Sequence, residues 1–254
     1  MDQARLIIDP PADGAWNMSV DQALLETANE TGVITLRFYS WSEPTLSLGY
    51  FQSHQDRSSH PPSLPCPMVR RRTGGGAILH HHEITYSLCI PSKHRWSQQN
   101  SELYRLIHQI MIEYFSTIGI ETVLYEHEQK TAEHEERPIV DQNAFLCFQR
   151  RSDGDITLDR FKIVGSAQRR LKNALLQHGS ILLKASNHAP SLPGIEDLCG
   201  FPIAVAETTD ILGSLIKSRL RISFKNGMLS ESEKETAHTN FSSLFSSDSW
   251  NKRR

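Results

Sequence analysis

Arginine, glycine and histidine side chains crowd one short stretch of the chain, residues 69–88, which reads VRRRTGGGAILHHHEITYSL. Arginines can bind an anion, consecutive glycines let a ligand approach the backbone, and histidines can bind a metal or move a proton. The stretch therefore has three candidate ligands: a phosphate group, a metal ion, or the polar end of a small substrate. An apparent strand follows the histidines and would hold the stretch in place.

The nucleotide loops with known motifs can be excluded. A Walker loop has Lys and then Ser or Thr after its glycines, and a dinucleotide-binding loop has G-x-G-x-x-G between a strand and a helix. The sequence TGGGAILHHHE has neither. A metal site is also disfavoured, because His80 and His82 could share one strand face near Glu83 but no third ligand stands at metal-binding spacing. We therefore expect no metal, and histidines that form hydrogen bonds or lie at the surface.

The glycine loop itself leaves two interpretations open. Gly74, Gly75 and Gly76 would let a ligand reach the backbone, while Arg71 supplies a charge-assisted hydrogen bond to a carboxylate, a phosphate or a thioester carbonyl. Alternatively, the glycines form a tight β-turn and the arginines are solvated.

A cysteine and a lysine form a second candidate site. The dipeptide Asp153-Gly154 is typical of a hairpin turn, and a hairpin centred there would pair Phe145 with Lys162. Cys147 and Lys162 would then be diagonal neighbours on one face of the sheet. An ammonium group at that distance favours the thiolate, which is the nucleophilic form of cysteine.

Ordinary structural roles are the alternative for both residues. Cys147 lies between Leu146 and Phe148, as a core cysteine would. Lysines at the head of an apolar strand, such as the one in KIVGSAQRR, are usually solvated. The glycine three residues after Lys162 marks a place where a backbone or a ligand can come close.

Length and composition allow one large α+β domain or two small ones, and we favour one domain. The chain has 254 residues, of which 38% are apolar, and its 27 Lys and Arg nearly balance 29 Asp and Glu, which argues against nucleic acid or an anionic membrane as a partner. The absence of an apolar signal core and of any 18-residue apolar run predicts a soluble, cytoplasmic protein. Four separated cysteines without a C-x-x-C pair are expected to be free thiols: Cys66, Cys89, Cys147 and Cys199.

Hydrophobic periodicity predicts two clear helices. One covers residues 17–31, with Asn17 as its N-cap and Gly32 beyond its end, and the other covers 101–118 and stops at Gly119. Strands are predicted in the segments ITLRFYSW, TLSLGYF, MVRR, EITYSLCI, NAFLCFQR, DITLD, FKIVGSAQ and ALLQHGSILL.

The remaining segments connect or close the domain. The Pro- and Ser-rich residues 52–67 read as a surface loop, and the acidic residues 126–138 as a mobile insertion. Two C-terminal helices are expected to close the domain, and the Ser-rich residues 240–254 are expected to be partly disordered.

Three ordered motifs carry a family resemblance. RRRTGGGAILH, KIVGSA and QHGSILL, in that order and separation, resemble the signature of the superfamily of lipoate-protein ligases, octanoyltransferases and biotin ligases. The resemblance runs from WNMSVDQALL to QHGSILL, most of the chain. Adenylating ligases typically carry an Asn-Asp pair where this sequence reads AFLCF, which is similar instead to Cys-type octanoyltransferases that load the glycine cleavage H protein. The 15-residue interval from Cys147 to Lys162, RFYSWSEPTLSLGYFQ and the ending DSWNKRR also resemble those enzymes.

The resemblance implies a fold and a domain organisation. It implies an α+β fold with a single mixed-sheet domain packed with helices, like the biotin/lipoate ligase catalytic domain. The catalytic domain would cover residues 1–225, and residues 226–254 would form a C-terminal helix and polar tail with no room for the accessory domain of some ligases.

The resemblance also implies a reaction. An octanoyl group would pass from acyl carrier protein to the Cys147 thiolate, and then to a lysine of the H protein or another lipoyl-domain protein, without a cofactor. Lys162 would favour the thiolate and help position the carbonyl. The implied binding residues around the acyl pocket are Arg71, Thr73, Gly74, Gly75, Gly76, His80, Arg169 and His178.

Three other functions remain open at this stage. An ATP-dependent lipoate ligase would use the same loop and Lys162 around lipoyl-AMP, and would need ATP and Mg²⁺. A lipoyl-domain amidotransferase would also use a cysteine. A non-catalytic lipoyl-domain binder would keep only the fold. The residues do not separate octanoyl from lipoyl preference, and they do not identify the acceptor or the oligomeric state.

Overall fold

An eight-stranded mixed sheet forms the centre of the computed structural model, which describes residues 4–126 and 143–254. Its strands, in spatial order, are β11 (Lys225–Asn226), β1 (Ala4–Ile8), β2 (Ile34–Tyr39), β6 (Glu83–Pro91), β10 (Ala174–Leu182), β9 (Phe161–Arg170), β8 (Ile156–Leu158) and β7 (Val123–Leu124). Strand β1 runs parallel to β2 and β11, and the remaining neighbours are antiparallel. A three-stranded sheet has the order β4 (Met68–Arg70), β3 (Thr45–Leu48), β5 (Ile78–His80).

Helices cover both faces of the large sheet. The helices of the described residues are α1 (Gly14–Thr31), α2 (Arg95–Gln98), α3 (Asn100–Thr117), α4 (Ile195–Cys199), α5 (Val205–Leu220), α6 (Glu231–Asn240) and α7 (Asp248–Asn251). Strand β2 shows how the faces differ, because side chains alternate along a strand. Leu36 and Phe38 join the main core with α3 and α5, whereas Arg37 points to α1 on the other face.

The α+β class and the principal elements predicted from periodicity are confirmed. Helix α3 has seven buried residues, and Gly119 just beyond it adopts a φ of +78°. Helix α1 ends as expected at Gly32, where φ is +79°, but its N-cap is Asp13 and not Asn17. The Asp13 carboxylate accepts a hydrogen bond from the Trp16 N–H. Asn17 lies inside the helix, and its side-chain amide donates to the carbonyls of Ala12 and Ser40.

The predicted hairpin centred on Asp153-Gly154 is wrong, as is the predicted strand at 143–150. Cys147–Gln149 form a turn of 3₁₀ helix, and the hairpin joins β8 to β9 through Asp159 and Arg160. Strand β8 pairs with β9 on one edge and with β7 on the other, so it has no free edge for residues 143–150. The acidic segment predicted to be mobile lies, apart from Glu126, outside the described residues.

The C-terminal residues are ordered, against the expectation of partial disorder. Phe245 is 2% exposed and packs in a cluster with Met18, Tyr39, Trp41 and Val69. Burial of apolar side chains of this kind offsets the conformational entropy that the segment loses when it becomes ordered. Its polar, Ser-rich residues could not do so alone. The position of the predicted boundary at residue 225 stays a prediction.

Within the part of the chain that the structure covers, no helix has the length and apolar character needed to cross a bilayer.

A buried ion pair ties α1 to the sheet. Arg37 is fully buried, and its guanidinium donates to the carboxylates of Asp21 (2.8 Å) and Asp9 (2.7 Å). Asp21 also accepts hydrogen bonds from Tyr39 (2.9 Å) and Ser87 (2.8 Å). Burial opposes the carboxylate form, but its partners outweigh burial and hold the Asp21 pKa below its ordinary value.

We expect Arg37→Met to lower the free energy of unfolding by about 3–5 kcal/mol, because it leaves the Asp21 carboxylate buried without its cation. Urea unfolding at pH 7 measures the change. Arg219→Met is the matched control, since Arg219 pairs with Glu113 at the surface and should lose less than about 1 kcal/mol. Equal small losses in both variants would show that the buried pair does not stabilise the fold.

Candidate active site

A cavity of about 320 Å³ opens between the glycine loop and strands β9 and β10. Its wall includes seven of the ten predicted site residues: Arg71, Gly74, Gly75, His80, Cys147, Lys162 and His178. Thr73, Gly76 and Arg169 are not part of that wall. The two candidate sites predicted separately are therefore one site.

Backbone hydrogen bonds fix Cys147 beside the glycine loop. Its N–H donates to the Ala77 carbonyl (2.6 Å), and the Ala77 N–H donates to the Phe145 carbonyl (3.0 Å). Gly76 lies under this contact, where an added Cβ would come 3.1 Å from the Cys147 nitrogen. Because Cys147 is only partly buried, its thiol can face the cavity.

Lys162 is the cation beside the thiol. Its Nζ lies 3.8 Å from Cys147 Sγ and 2.8 Å from an Asp155 carboxylate oxygen, and the side chain is 4% exposed. Burial opposes the ammonium form, but the charges of Cys147 and Asp155 outweigh burial and raise the Lys162 pKa above its ordinary value. The predicted proximity of Cys147 and Lys162 is correct, although the predicted strand register is not.

Asp155 lies in the candidate site, and sequence reasoning missed it. Besides Lys162, its carboxylate accepts hydrogen bonds from the Ser152 N–H (2.8 Å) and the Tyr104 hydroxyl (3.2 Å), and it is 1% exposed. In the sequence it looks like the last residue of a turn, and no spacing rule connects it to Lys162. We infer that Asp155 orients the ammonium towards Sγ.

Gly165 makes room for this arrangement. A Cβ at this position would come 2.4 Å from Lys162 Cε and 2.7 Å from its Nζ. The lysine side chain therefore folds back over its own strand, and only glycine leaves that path open. The sequence indicated a close approach here, and the group that approaches is the Lys162 side chain.

Arg71 holds the glycine loop from the inside. It is 2% exposed, and its Nη2 donates to the carbonyls of Gly74 (2.7 Å) and Gly76 (2.6 Å). Burial lowers the Arg71 pKa to about 10, and Cys147 opposes that shift. The alternative of solvated arginines is therefore wrong for Arg71. Gly75 lies between the two carbonyls with a φ of +90°, and an added Cβ would be 3.9 Å from Cys147 Sγ.

His80 and His178 are both held by hydrogen bonds. His80 contacts Ser47 Oγ (2.8 Å) and Glu83 (2.9 Å), and burial lowers its pKa although Glu83 opposes that shift. His178 contacts Thr73 Oγ1 (2.8 Å) on one side and the Asp21 carboxylate (3.3 Å) on the other. The described residues contain no group of three His, Cys, Asp or Glu side chains placed to bind a metal.

Arg169 lies outside the cavity wall, and its guanidinium donates to the Arg72 carbonyl at 2.8 Å. The site thus has a thiol, an adjacent ammonium oriented by a carboxylate, and an exposed glycine backbone. This arrangement suits acyl transfer through a cysteine thioester.

The fold is that of lipoate ligases. A solved structure described as a bi-partite lipoate protein ligase and its E2 lipoyl domain from Thermoplasma acidophilum superposes with a TM-score of 0.75 at 18% identity, over 99% of this chain and 97% of that one. The chain belongs to the lipoyl protein ligase A/B catalytic domain family, because the sequence model of that family matches residues 13–191.

The chain is similar in sequence to octanoyltransferases. The octanoyltransferase LipM of Halalkalibacterium halodurans is 34% identical over 231 residues, which cover 89% of this chain and 77% of the relative. The octanoyltransferase LipM of Brevibacillus brevis is 29% identical over 279 residues, with both chains fully covered. The predicted resemblance to octanoyltransferases of this superfamily is therefore confirmed at the level of the family and its relatives.

We expect Lys162→Met to slow alkylation of Cys147 by iodoacetamide at pH 7 by roughly tenfold or more, because the thiolate loses its neighbouring ammonium. Peptide mapping by mass spectrometry separates Cys147 from the other cysteines. Lys172→Met removes an exposed ammonium and should leave the rate unchanged. An unchanged rate in Lys162→Met would show that the ammonium does not activate the thiol.

Proposed function

We propose that the protein transfers an octanoyl group from the thioester of acyl carrier protein to a lysine of a lipoyl-domain protein, such as the glycine cleavage H protein, through a thioester on Cys147. The observation that supports this most directly is the 3.8 Å distance between Cys147 Sγ and the buried Lys162 ammonium in the cavity wall. The octanoyltransferase relatives support the acyl group, since both carry that name.

In the first half-reaction the Cys147 thiolate attacks the octanoyl carbonyl carbon. A new C–S bond forms on Cys147, and the C–S bond to the carrier breaks. The carrier leaves as a thiolate and takes a proton from solvent. The Lys162 ammonium lies close enough to Sγ to stabilise the negative charge that moves from sulfur to the carbonyl oxygen.

In the second half-reaction a neutral lysine amine of the acceptor attacks the Cys147 thioester. An amide bond forms, the C–S bond to Cys147 breaks so that Cys147 leaves as a thiolate, and the amine gives up one proton to solvent. The net change is a thioester and an amine converted to an amide and a thiol. Because a thioester already carries a usable leaving group, the reaction needs no nucleotide and no cofactor.

Two observations favour this reaction over ATP-dependent ligation. A ligase of the same fold would direct the lysine at an acyl adenylate, whereas Lys162 here contacts Cys147 and Asp155. Arg71 donates to two loop carbonyls, so these bonds would have to break before its Nη2 could clamp a phosphate. The acceptor class is supported by the solved archaeal ligase, which is described together with its E2 lipoyl domain.

We expect Gly75→Val to lower octanoyl loading of Cys147 by roughly 100-fold, because an added Cβ would lie 3.1 Å from Arg71 Nη2 and 3.9 Å from Cys147 Sγ, so that a branched side chain would crowd both groups. Intact-mass kinetics with octanoyl acyl carrier protein measure the loading. Gly119→Val is the matched control, since Gly119 has a φ of +78° but nothing within 4 Å of an added Cβ. Equal loading losses in the two variants would attribute the effect to general destabilisation of the fold.

We expect Cys147→Ala to abolish transfer of octanoyl from acyl carrier protein to an H-protein lysine, because the acyl group then has no nucleophile to receive it. A mass shift of the acceptor measures transfer. The variant should also fail with free lipoate and ATP. If it modified the acceptor at the wild-type rate under those conditions, an adenylating ligase would replace the covalent mechanism.

A further inference from the structure

Four arginines and three aromatic residues form a patch outside the cavity. We call it the arginine–aromatic patch, and its members are Tyr50, Phe51, Arg72, Arg169, Trp250, Arg253 and Arg254. The Arg253 guanidinium lies 3.9 Å from the Tyr50 ring centre and 4.3 Å from that of Trp250. The rings of Tyr50 and Phe51 are 4.9 Å apart.

No Asp or Glu side chain compensates these cations in the described residues. None of the four arginines has an ion pair within 4.0 Å there. The Nε atoms of Arg72, Arg169 and Arg253 are buried and have no hydrogen-bond partner. Burial and the neighbouring Arg72 lower the Arg169 pKa, as expected where cations repel. An anion placed on the patch would relieve that repulsion.

The fold holds the patch together although its charges repel. Trp250 Nε1 donates to the Arg70 carbonyl (2.8 Å), and Asn251 Oδ1 accepts from the Arg70 N–H (2.8 Å). The Arg253 guanidinium donates to the Tyr50 carbonyl (3.2 Å). These bonds position the C-terminal residues against strand β4 and the start of the glycine loop.

The patch adjoins the glycine loop through Phe51. An added Cβ on Gly74 would lie 3.8 Å from the Phe51 ring, and one on Gly75 would lie 3.9 Å from Cys147 Sγ. Phe51 is 69% exposed. One short loop therefore connects the cationic surface to the nucleophile.

We propose that the arginine–aromatic patch docks the acidic carrier protein that delivers the acyl thioester, and that its guanidinium groups bind the phosphodiester of the carrier's prosthetic arm. The inference rests on the proposed function and assigns the surface of this protein that binds the acyl donor. Planar guanidinium groups pair with phosphate oxygens in two parallel hydrogen bonds, and a cationic surface speeds encounter with an acidic partner. Only the donor carries a phosphate on the arm that ends in the reacting carbonyl, which favours it over the acceptor.

Loading of Cys147 from two donors tests the proposal. Octanoyl acyl carrier protein supplies both the acidic surface and the phosphate, whereas octanoyl-N-acetylcysteamine supplies the thioester alone. Arg72→Gln and Arg253→Gln should each lower the second-order rate constant for the carrier by roughly tenfold and weaken its dependence on salt. Both variants should load from the small thioester at the wild-type rate. Arg219→Gln, which removes an exposed arginine elsewhere, should load normally from both donors.

Binding of holo carrier protein without an acyl group, measured by fluorescence anisotropy, should weaken by a similar factor in the two patch variants. Unchanged loading from the carrier, or an equal loss with both donors, would overturn the proposal. Normal loading combined with slower transfer to the lipoyl domain would also overturn it and would assign the patch to the acceptor. If wild-type protein loaded from neither donor while it still bound holo carrier through the patch, the covalent mechanism alone would fail.

Discussion

The site depends on one buried ammonium group. Lys162 is almost excluded from water, and the nearby Asp155 carboxylate and Cys147 sulfur favour its ammonium form against burial. This constraint explains several local features. Gly165 must lack a side chain to let the lysine fold back over β9, and the turn at Ser152 must bring Asp155 under the ammonium.

Two sets of contacts hold the opposite wall of the cavity. Arg71 ties the carbonyls on either side of Gly75 to the interior, so the loop keeps its shape next to Sγ. From the sheet, His178 joins Thr73 of the loop to Asp21, which belongs to the buried Arg37 ion pair. The loop that borders the nucleophile is therefore connected to the buried ion pair between Arg37 and Asp21.

The sequence was most informative where a pattern is local. The apolar spacing of α3 and the alternation of β2 follow from helix and strand periodicity, and both elements were predicted. Motif order also paired Cys147 with Lys162 through the family resemblance. The hairpin register was wrong because Asp153-Gly154 has the local chemistry of a hairpin turn, while the edge of β8 that such a hairpin needs is occupied by β7. Long-range pairing of that kind leaves no signal in a short window. The contacts of Asp155 also leave no signal in a short window. Residues 240–254 are ordered for a long-range reason too, because Phe245 and Asn251 contact distant strands.

Mass mapping of a single turnover tests the covalent mechanism most directly. Wild-type protein is mixed with octanoyl acyl carrier protein in the absence of nucleotide and acceptor, quenched in acid and digested. We expect one octanoyl group on the peptide that contains Cys147, and its loss on treatment with hydroxylamine, which cleaves thioesters. Absence of this adduct, with acyl transfer appearing only when ATP and a free acid are supplied, would contradict a Cys147 thioester.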